Sequence, residues 1–436
     1  MAVHRQPGTV LTDHTFAVPL DHDAPDGEQI EIYAREVVAA GREQDPLPWL
    51  LYLQGGPGGR SPRPAGRDGW LERALDDYRV LLLDQRGTGH STPATRQTLP
   101  ARGDAAAQAR HLSRFRADSI VRDCETIRRR LLGEDERWSV LGQSFGGFCA
   151  LTYLSFASDG LREVLITGGL PGLRSSAEDV YRAAYPRIEG KNRGHYARYP
   201  GDVEAVRAIA GHLRDTEVTL PGGGRLSPEA FQALGIMLGS ANGSHTLHYL
   251  IEDAFVPGLA RPTLSDSFLS EVQGHLSFAG NPLYAVLHEA IYGQRSVSPG
   301  ATDWAAERVR RDFPQFDAAA ALASGGPVLF TGETIHPWMF DTIPALAPLR
   351  ETAELLAGRE HWPDLYDPAQ LARNEVPVAA AIYHDDMYVD TADSLATARA
   401  VRGLRTWVTD EYEHDGLRVS GGRVLDRLVR LARGEL

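Results

Sequence analysis

The stretch Gly142-Gln143-Ser144-Phe145-Gly146 constrains this chain more than any other. Before it stands a short apolar, partly β-branched run, Trp138-Ser139-Val140-Leu141. After it comes Gly147-Phe148-Cys149-Ala150-Leu151-Thr152-Tyr153-Leu154, with the apolar density of a buried helix. A buried strand passing straight into a buried helix leaves only a tight turn between them. A serine in that turn has its hydroxyl pushed out of the backbone. Glycines two residues before and two after it keep Cβ atoms out of the bend. The five-residue pattern alone is common by chance. In this strand–turn–helix setting it predicts an exposed, nucleophilic Ser144.

The rest of the chain supplies a sheet on which such a turn can be mounted. Residues 15–22 and 29–37 flank Asp23-Ala24-Pro25-Asp26-Gly27, which is turn chemistry, so an antiparallel hairpin is expected. Residues 49–53 and 78–84 are continuous apolar runs suited to central strands buried on both faces. Ser119 is placed to cap a helix through residues 120–132, and residues 162–167 form another strand. Strands alternating with helices imply βαβ units and a mainly parallel sheet flanked by helices, an α/β fold.

From about residue 171 strand rhythm disappears, and helical stretches such as 203–213 and 228–238 alternate with Gly/Pro loops. A helical stretch around 349–356 follows. Strand rhythm returns at 376–383 and 404–408, and an amphipathic helix at 424–431 closes the chain. With 436 residues the chain exceeds one compact core. The expected division is a core in two parts, residues 1–170 and 346–436, with an inserted, mostly helical cap at residues 171–345.

A formal net charge of −13 argues against nucleic acid or an anionic membrane as partner. Lys191 is the only lysine among many arginines, which reads as compositional bias. Cys124 and Cys149 fall in predicted helices as buried free thiols; no disulfide framework or zinc-type spacing is present. Residues 1–10 hold no apolar signal-type run, and no stretch approaches the ~18–20 apolar residues of a membrane span. A soluble, cytoplasmic protein is expected.

A nucleophilic serine needs a base to take its proton and an acid to orient that base. In α/β-hydrolases the order along the chain is serine, acid, histidine, the last two in loops after strands. Asp385 and Asp386 follow the strand at 376–383, and His414 follows the strand at 404–408. Both positions lie at C-terminal strand ends, where open α/β sheets bind ligands. One aspartate would orient the imidazole and the other would cap a turn; the pattern leaves both open. For the oxyanion, one donor is the Phe145 N–H. The other comes from the Gly55-Gly56-Pro57-Gly58 loop after Leu53.

Gln54-Gly55-Gly56-Pro57-Gly58-Gly59, Asp84-Gln85-Arg86-Gly87-Thr88-Gly89-His90-Ser91 and Gly142-Gln143-Ser144-Phe145-Gly146-Gly147, at these separations, resemble the prolyl aminopeptidases (proline iminopeptidases). Phe16-Ala17-Val18-Pro19-Leu20-Asp21-His22 is also similar to this group of α/β-hydrolase-fold serine peptidases. The resemblance covers residues 15–170 and 374–436 and weakens through the cap. It implies Ser144 as nucleophile, His414 as base, Asp386 as acid, and Gly56 and Phe145 as the oxyanion hole. It also implies cap glutamates that hold the substrate's α-ammonium group: Glu289 and Glu333, with Glu252 in reserve. Two positions depart from the family pattern: Gln54 stands where histidine is usual, and Glu411-Tyr412-Glu413-His414 replaces Gly-x-Gly-His.

The expected activity is release of N-terminal proline, or a similar small residue, from peptides with a free N-terminus. Neither a metal nor an organic cofactor is called for. Two other readings share the fold. One is an esterase or amidase acting on a small metabolite; the other is a catalytically silent hydrolase fold used as a ligand-binding module.

Overall fold

The computed structural model describes residues 2–258 and 260–436. Its centre is a nine-stranded sheet. The strands are β1 (Val3–Gln6), β2 (Thr9–Pro19), β3 (Gln29–Ala39), β4 (Trp49–Leu53), β5 (Arg79–Leu83), β6 (Trp138–Gln143) and β7 (Leu161–Thr167). A separate ribbon pairs β8 (Val218–Thr219) with β9 (Arg225–Leu226). The main sheet is completed by β10 (Val378–Tyr383) and β11 (Leu404–Thr409). The order is β1-β2-β3-β5-β4-β6-β7-β10-β11. All pairs from β5 to β11 are parallel, and those from β1 to β5 are antiparallel.

The expected hairpin is present, with Pro19 opposite Gln29, and extends further than the residues first suggest, to Thr9 opposite Ala39. Strand β1 was not expected. Val3-His4-Arg5-Gln6 has no apolar alternation to announce it, and it pairs through its backbone with β2.

The continuous apolar runs are explained by burial on both faces. Leu51, Leu53, Leu81, Leu83, Val140 and Ile166 share one core with α3 (Ala117–Leu132) and α4 (Phe145–Phe156), which follow α1 (Gly69–Asp77) and α2 (Ala105–Leu112). Leu50, Tyr52, Val80, Leu82, Leu141 and Leu165 face the other way, onto α1 and the terminal helix Arg423–Arg433. That last helix buries Val424, Leu425, Leu428 and Val429 along one stripe. Each such side chain contributes roughly 1.5–3 kcal/mol when fully buried. Cys124 and Cys149 are buried free thiols in α3 and α4.

Tertiary contacts override two local expectations. Helix α3 begins at Ala117 with Arg116 as the flanking residue, so Ser119 sits inside the first turn rather than capping it. The buried Arg116 guanidinium donates to the carbonyls of Ala290, Gly293 and Pro363, and those contacts decide where the extended chain turns helical. Residues 228–238 form a short α-helix, Pro228–Gln232, followed by a 3₁₀ stretch, Ala233–Gly239, not one continuous helix. The chain tightens where Gly235 presses on Thr331: a Cβ there would lie 1.8 Å from the Thr331 carbonyl oxygen.

Between β7 and β10 the chain is mostly helical, with only the β8–β9 ribbon as strand pairing among the described named strands. The longest element there is α5 (Ala177–Arg198), started by a reciprocal cap in which Ser176 Oγ accepts from Asp179 N and Asp179 Oδ2 accepts from Ser176 N. Pro186, Gly190 and Gly194 inside it conceal it from pattern reading. Among the described residues no helix is long and apolar enough to cross a membrane.

The 84–91 motif acts as a brace under the site. Asp84 accepts from the backbone of Ser61 and His90 and is paired with Arg63, tying the loop after β4 to the loop after β5. Arg86, fully buried, donates from Nε to Asp123 of α3 at 2.7 Å and to the carbonyls of Leu20 and Arg114. Removing one partner of so buried a pair costs about 3–5 kcal/mol.

Candidate active site

Strand β6 ends at Gln143 and α4 begins at Phe145, leaving Ser144 alone in the turn with φ 55° and ψ −124°. A non-glycine residue in that region stores roughly 1–3 kcal/mol of backbone strain. The turn closes only because its flanks lack side chains. A Cβ on Gly142 would lie 2.4 Å from the Gly146 carbonyl oxygen, and one on Gly146 would lie 1.9 Å from that of Leu53. Ser144 N donates to the Thr167 carbonyl at 3.0 Å, which fixes the turn to the end of β7. Gly146→Ala should therefore force β4 and α4 apart, at a cost of about 1–3 kcal/mol or more. A thermal melt unchanged from wild type would contradict the contact.

The Phe145 N–H is the first amide of α4, where helix geometry supplies no partner and the helix dipole favours negative charge. Opposite it runs the loop after β4. A Cβ on Gly55 would stand 2.8 Å from Ser144 Cβ, so this loop lies directly against the serine. Gly56 adopts φ +134° and Gly58 φ +78°, which turns the amides of the loop. The loop is held by Gln85 Nε2 donating to the Gln54 carbonyl at 3.0 Å, by the Tyr52 hydroxyl donating to Gln54 Oε1 at 2.6 Å, and by Asn281 Nδ2 donating to the Pro57 carbonyl at 3.1 Å. Gln54 thus holds the loop as a hydrogen-bonded side chain at the departing position.

His414 follows β11, and its Nδ1 lies 2.6 Å from Asp386 Oδ2. The other Asp386 oxygen accepts from the backbone of Tyr388 at 2.8 Å and Val389 at 3.2 Å, so the carboxylate cannot swing away. Asp385 points out instead, its side chain 65% exposed beside His384. With Nδ1 committed to an acceptor, Nε2 is the ring nitrogen left for proton exchange. Burial by itself would lower the His414 pKa. The adjoining Asp386 charge and hydrogen bond outweigh it, with help from Glu333 and Asp415, and the net shift is upward. The Tyr388 ring meets the imidazole edge-on, 4.7 Å between centroids.

Of the cap carboxylates, Glu333 lies closest to this pair in electrostatic terms. Burial pushes its pKa up to about 7, opposed by a hydrogen bond from the Tyr284 hydroxyl and by the charge of His414 and reinforced by that of Asp386. The Tyr284 hydroxyl donates to Glu333 Oε1 at 2.6 Å. The Glu333 charge also reaches the hydroxyls of Tyr181, Tyr292 and Tyr388. A carboxylate is therefore set among tyrosines.

Glu289 is buried, and one oxygen accepts from Ala306 N at 3.0 Å, in the first turn of the helix Ala305–Arg310. Its other oxygen is buried without a partner, and burial raises its pKa to about 6. Like Glu333, it acts on the Tyr181 hydroxyl. Glu252 ends the helix Gly243–Glu252 on the exposed surface. The tyrosines around Glu333 come from separate elements, and no spacing in the sequence joins them.

Of two cavities, the second is lined by His414 and the first by no residue of the Ser144, Asp386 and His414 set. One, of about 360 Å³, lies in the cap beside Tyr284, Gly332 and Thr334, with Ile335, Trp338 and Phe278 among its apolar lining. The other, of about 620 Å³, is more polar and runs past His414, Gln143, Gln54 and Tyr388.

Residues 48–202 match the alpha/beta hydrolase fold family. The chain is 51% identical over 421 residues to a proline iminopeptidase of Aeromonas sobria, covering 96% of each chain. It is 39% identical over 441 residues to a proline iminopeptidase of Aspergillus aculeatus, covering 98% of this chain and 95% of that one. Both alignments run through the cap, where motif reading is weakest. On this full-length similarity, and with the serine turn mounted as the fold requires, the chain belongs to the proline iminopeptidase family within the α/β-hydrolase fold.

Proposed function

We propose that this protein is a serine aminopeptidase that releases N-terminal proline, or a similarly small residue, from peptides. The observation that carries the reading is the carboxylate of Glu333, set among tyrosines within electrostatic reach of His414. An ammonium group there gains a charge-assisted hydrogen bond and the negative faces of aromatic rings. A blocked N-terminus gains neither. The apolar cavity bordered by Tyr284, whose hydroxyl donates to Glu333, would take the ring of residue one. Glu289, one oxygen buried without a partner, adds negative charge behind Tyr181.

In this reading Ser144 Oγ attacks the carbonyl of residue one as its proton passes to His414 Nε2. Asp386 holds the imidazole in the required tautomer and stabilises the imidazolium. The amides of Phe145 and Gly56 receive the oxyanion. His414 then gives its proton to the departing amine, and the C–N bond breaks. Water, deprotonated by His414, attacks the acyl-enzyme and regenerates Ser144. These steps need no metal or organic cofactor.

Asp386→Asn should lower kcat by about 10⁴-fold, because the amide imposes the wrong imidazole tautomer. KM should change little, and steady-state kinetics on proline-β-naphthylamide check both. The activity itself is tested by comparing that substrate with short acyl nitrophenyl esters. Turnover of the naphthylamide, weakened by Glu333→Gln, is expected. Turnover of the esters alone, indifferent to Glu333→Gln, would replace the peptidase reading with that of a small-molecule esterase.

A further inference from the structure

Arg187, Lys191 and Asn192 lie on adjoining turns of α5, and each reaches a different loop of the proposed site. Arg187 donates to Asp390 Oδ2 at 2.6 Å and to the His384 carbonyl at 3.2 Å, taking hold of the loop on both sides of Asp386. Lys191 Nζ donates to both oxygens of Glu413, at 2.6 and 2.5 Å, and Glu413 immediately precedes His414. The Asn192 amide donates to the Phe330 carbonyl at 2.9 Å and accepts from Phe330 N at 2.8 Å, three residues before Glu333.

These contacts are not ordinary surface pairs. Asn192 is fully buried, and the Lys191 and Glu413 side chains are only 15% and 30% exposed. Solvent therefore screens the ion pair only in part. Arg193, on the same helix, shows the contrast: it pairs with Glu189 of α5 itself on the exposed side.

We propose that α5 sets the spacing of the site, with Arg187, Lys191 and Asn192 as positioning residues that hold Glu333 at a fixed separation from the Asp386–His414 pair. The inference rests on the aminopeptidase reading and deepens it by naming what limits the product to one residue. An extended residue spans about 3.3–3.6 Å. A carboxylate that holds the α-ammonium therefore selects the first peptide bond only if its distance from the catalytic base is held to within a fraction of that length. Glu333 belongs to the cap, whereas Asp386 and His414 belong to loops of the core. Direct bonds also cross between the parts, from His414 N to the Gly239 carbonyl and from the Tyr388 hydroxyl to that of Ile236, and α5 adds one rigid helix bonded to all three loops. The chain's only lysine sits on that helix and pairs with the residue before His414.

The test uses Lys191→Met, Lys191→Arg and Glu413→Gln, with Arg193→Met as control and Asn192→Ala for the Glu333 side. Three quantities are read: kcat and KM on proline-β-naphthylamide, the rate of labelling by a fluorophosphonate, and the melting temperature. The fluorophosphonate needs Ser144 and His414 but no amine. Lys191→Met and Glu413→Gln are each expected to lower kcat and labelling rate on the order of 10- to 100-fold, the scale of a misplacement of about 1 Å. Lys191→Arg, which keeps the charge, should recover most of the loss, and Arg193→Met should match wild type. Asn192→Ala should raise KM for the free-amine substrate more than it slows labelling.

Wild-type labelling in both Lys191→Met and Glu413→Gln would overturn the proposal. So would equal impairment of Lys191→Met and Lys191→Arg. A wild type that labels but does not cleave the prolyl substrate would overturn the aminopeptidase reading instead, leaving the labelling rates to decide the role of Lys191.

Discussion

Ser144→Ala is expected to lower kcat on proline-β-naphthylamide by on the order of 10⁵- to 10⁶-fold, the range seen when an acyl-transfer serine is removed. Alanine keeps the backbone at φ 55° with no new steric demand, so the turn between β6 and α4 should survive with its melting temperature nearly unchanged. KM should also stay near the wild-type value, because Glu333, the surrounding tyrosines and the cap cavity are untouched. The same variant should take no fluorophosphonate label. Labelling equal to wild type would place the nucleophile elsewhere and remove the turn from the chemistry altogether.

Glu333→Gln is the second large effect, and pH separates its causes. Truncating one partner of a desolvated charge pair costs about 2–5 kcal/mol, so kcat/KM on the free-amine substrate should fall by roughly 10²- to 10³-fold. In the wild type Glu333 is charged only above about 7, and in the proposed mechanism His414 serves as base only when neutral, above its own raised pKa. Both conditions make activity rise as pH increases through neutrality. In Glu333→Gln the carboxylate's share of that rise disappears. The histidine share remains and moves to lower pH, because the Glu333 charge is one of the groups holding the His414 pKa up. A pH profile of kcat/KM with the acid limb unmoved in the variant would contradict the proximity of the two groups.

The same substitution should change stability in a direction that follows from linkage. The folded-state pKa of Glu333, about 7, lies above the reference value of 4.5. Between those values the folded protein binds more protons than the unfolded chain, so this group's contribution to stability falls as pH rises across that window. Above it the full cost remains, at about 3 kcal/mol. Glutamine keeps an acceptor for Tyr284 and has no charge to desolvate. Glu333→Gln should therefore melt higher than wild type at pH 8 and close to wild type near pH 4.

The core of this fold was legible because its signals are local. Five consecutive apolar residues at Trp49–Leu53, a glycine on each side of Ser144 and a turn-rich spacer at residues 23–27 each constrain the nearest backbone directly. The order of Ser144, the aspartates and His414 was legible for the same reason, since each follows a recognisable strand. Residues 385 and 386 could not be told apart from the pattern alone, because side-chain direction in a loop depends on backbone contacts with Tyr388 and Val389.

The cap was less legible because its helices are short, broken by Gly and Pro, and stabilised by tertiary partners. Helix α5 carries Pro186, yet it continues because Ser176 and Asp179 cap its start and its Tyr181, Tyr185, Ile188 and Asn192 are buried. The partnership of Tyr284 with Glu333, and that of Lys191 with Glu413, join residues far apart in the chain. The two departures from the family pattern, Gln54 and Glu413, both prove to be engaged side chains: one steadies the loop beside Ser144, the other receives Lys191.

Recognition of the free α-amine is the centre of the functional reading. It is tested most directly by measuring kcat/KM at pH 8 for proline-β-naphthylamide and for its N-acetylated counterpart with one preparation of the wild-type protein. A preference for the free amine of on the order of 10³-fold or more is expected, the equivalent of losing one desolvated charge pair. Equal rates on the two substrates would contradict it, and would leave Glu333 as a half-buried carboxylate with no part in choosing what Ser144 attacks.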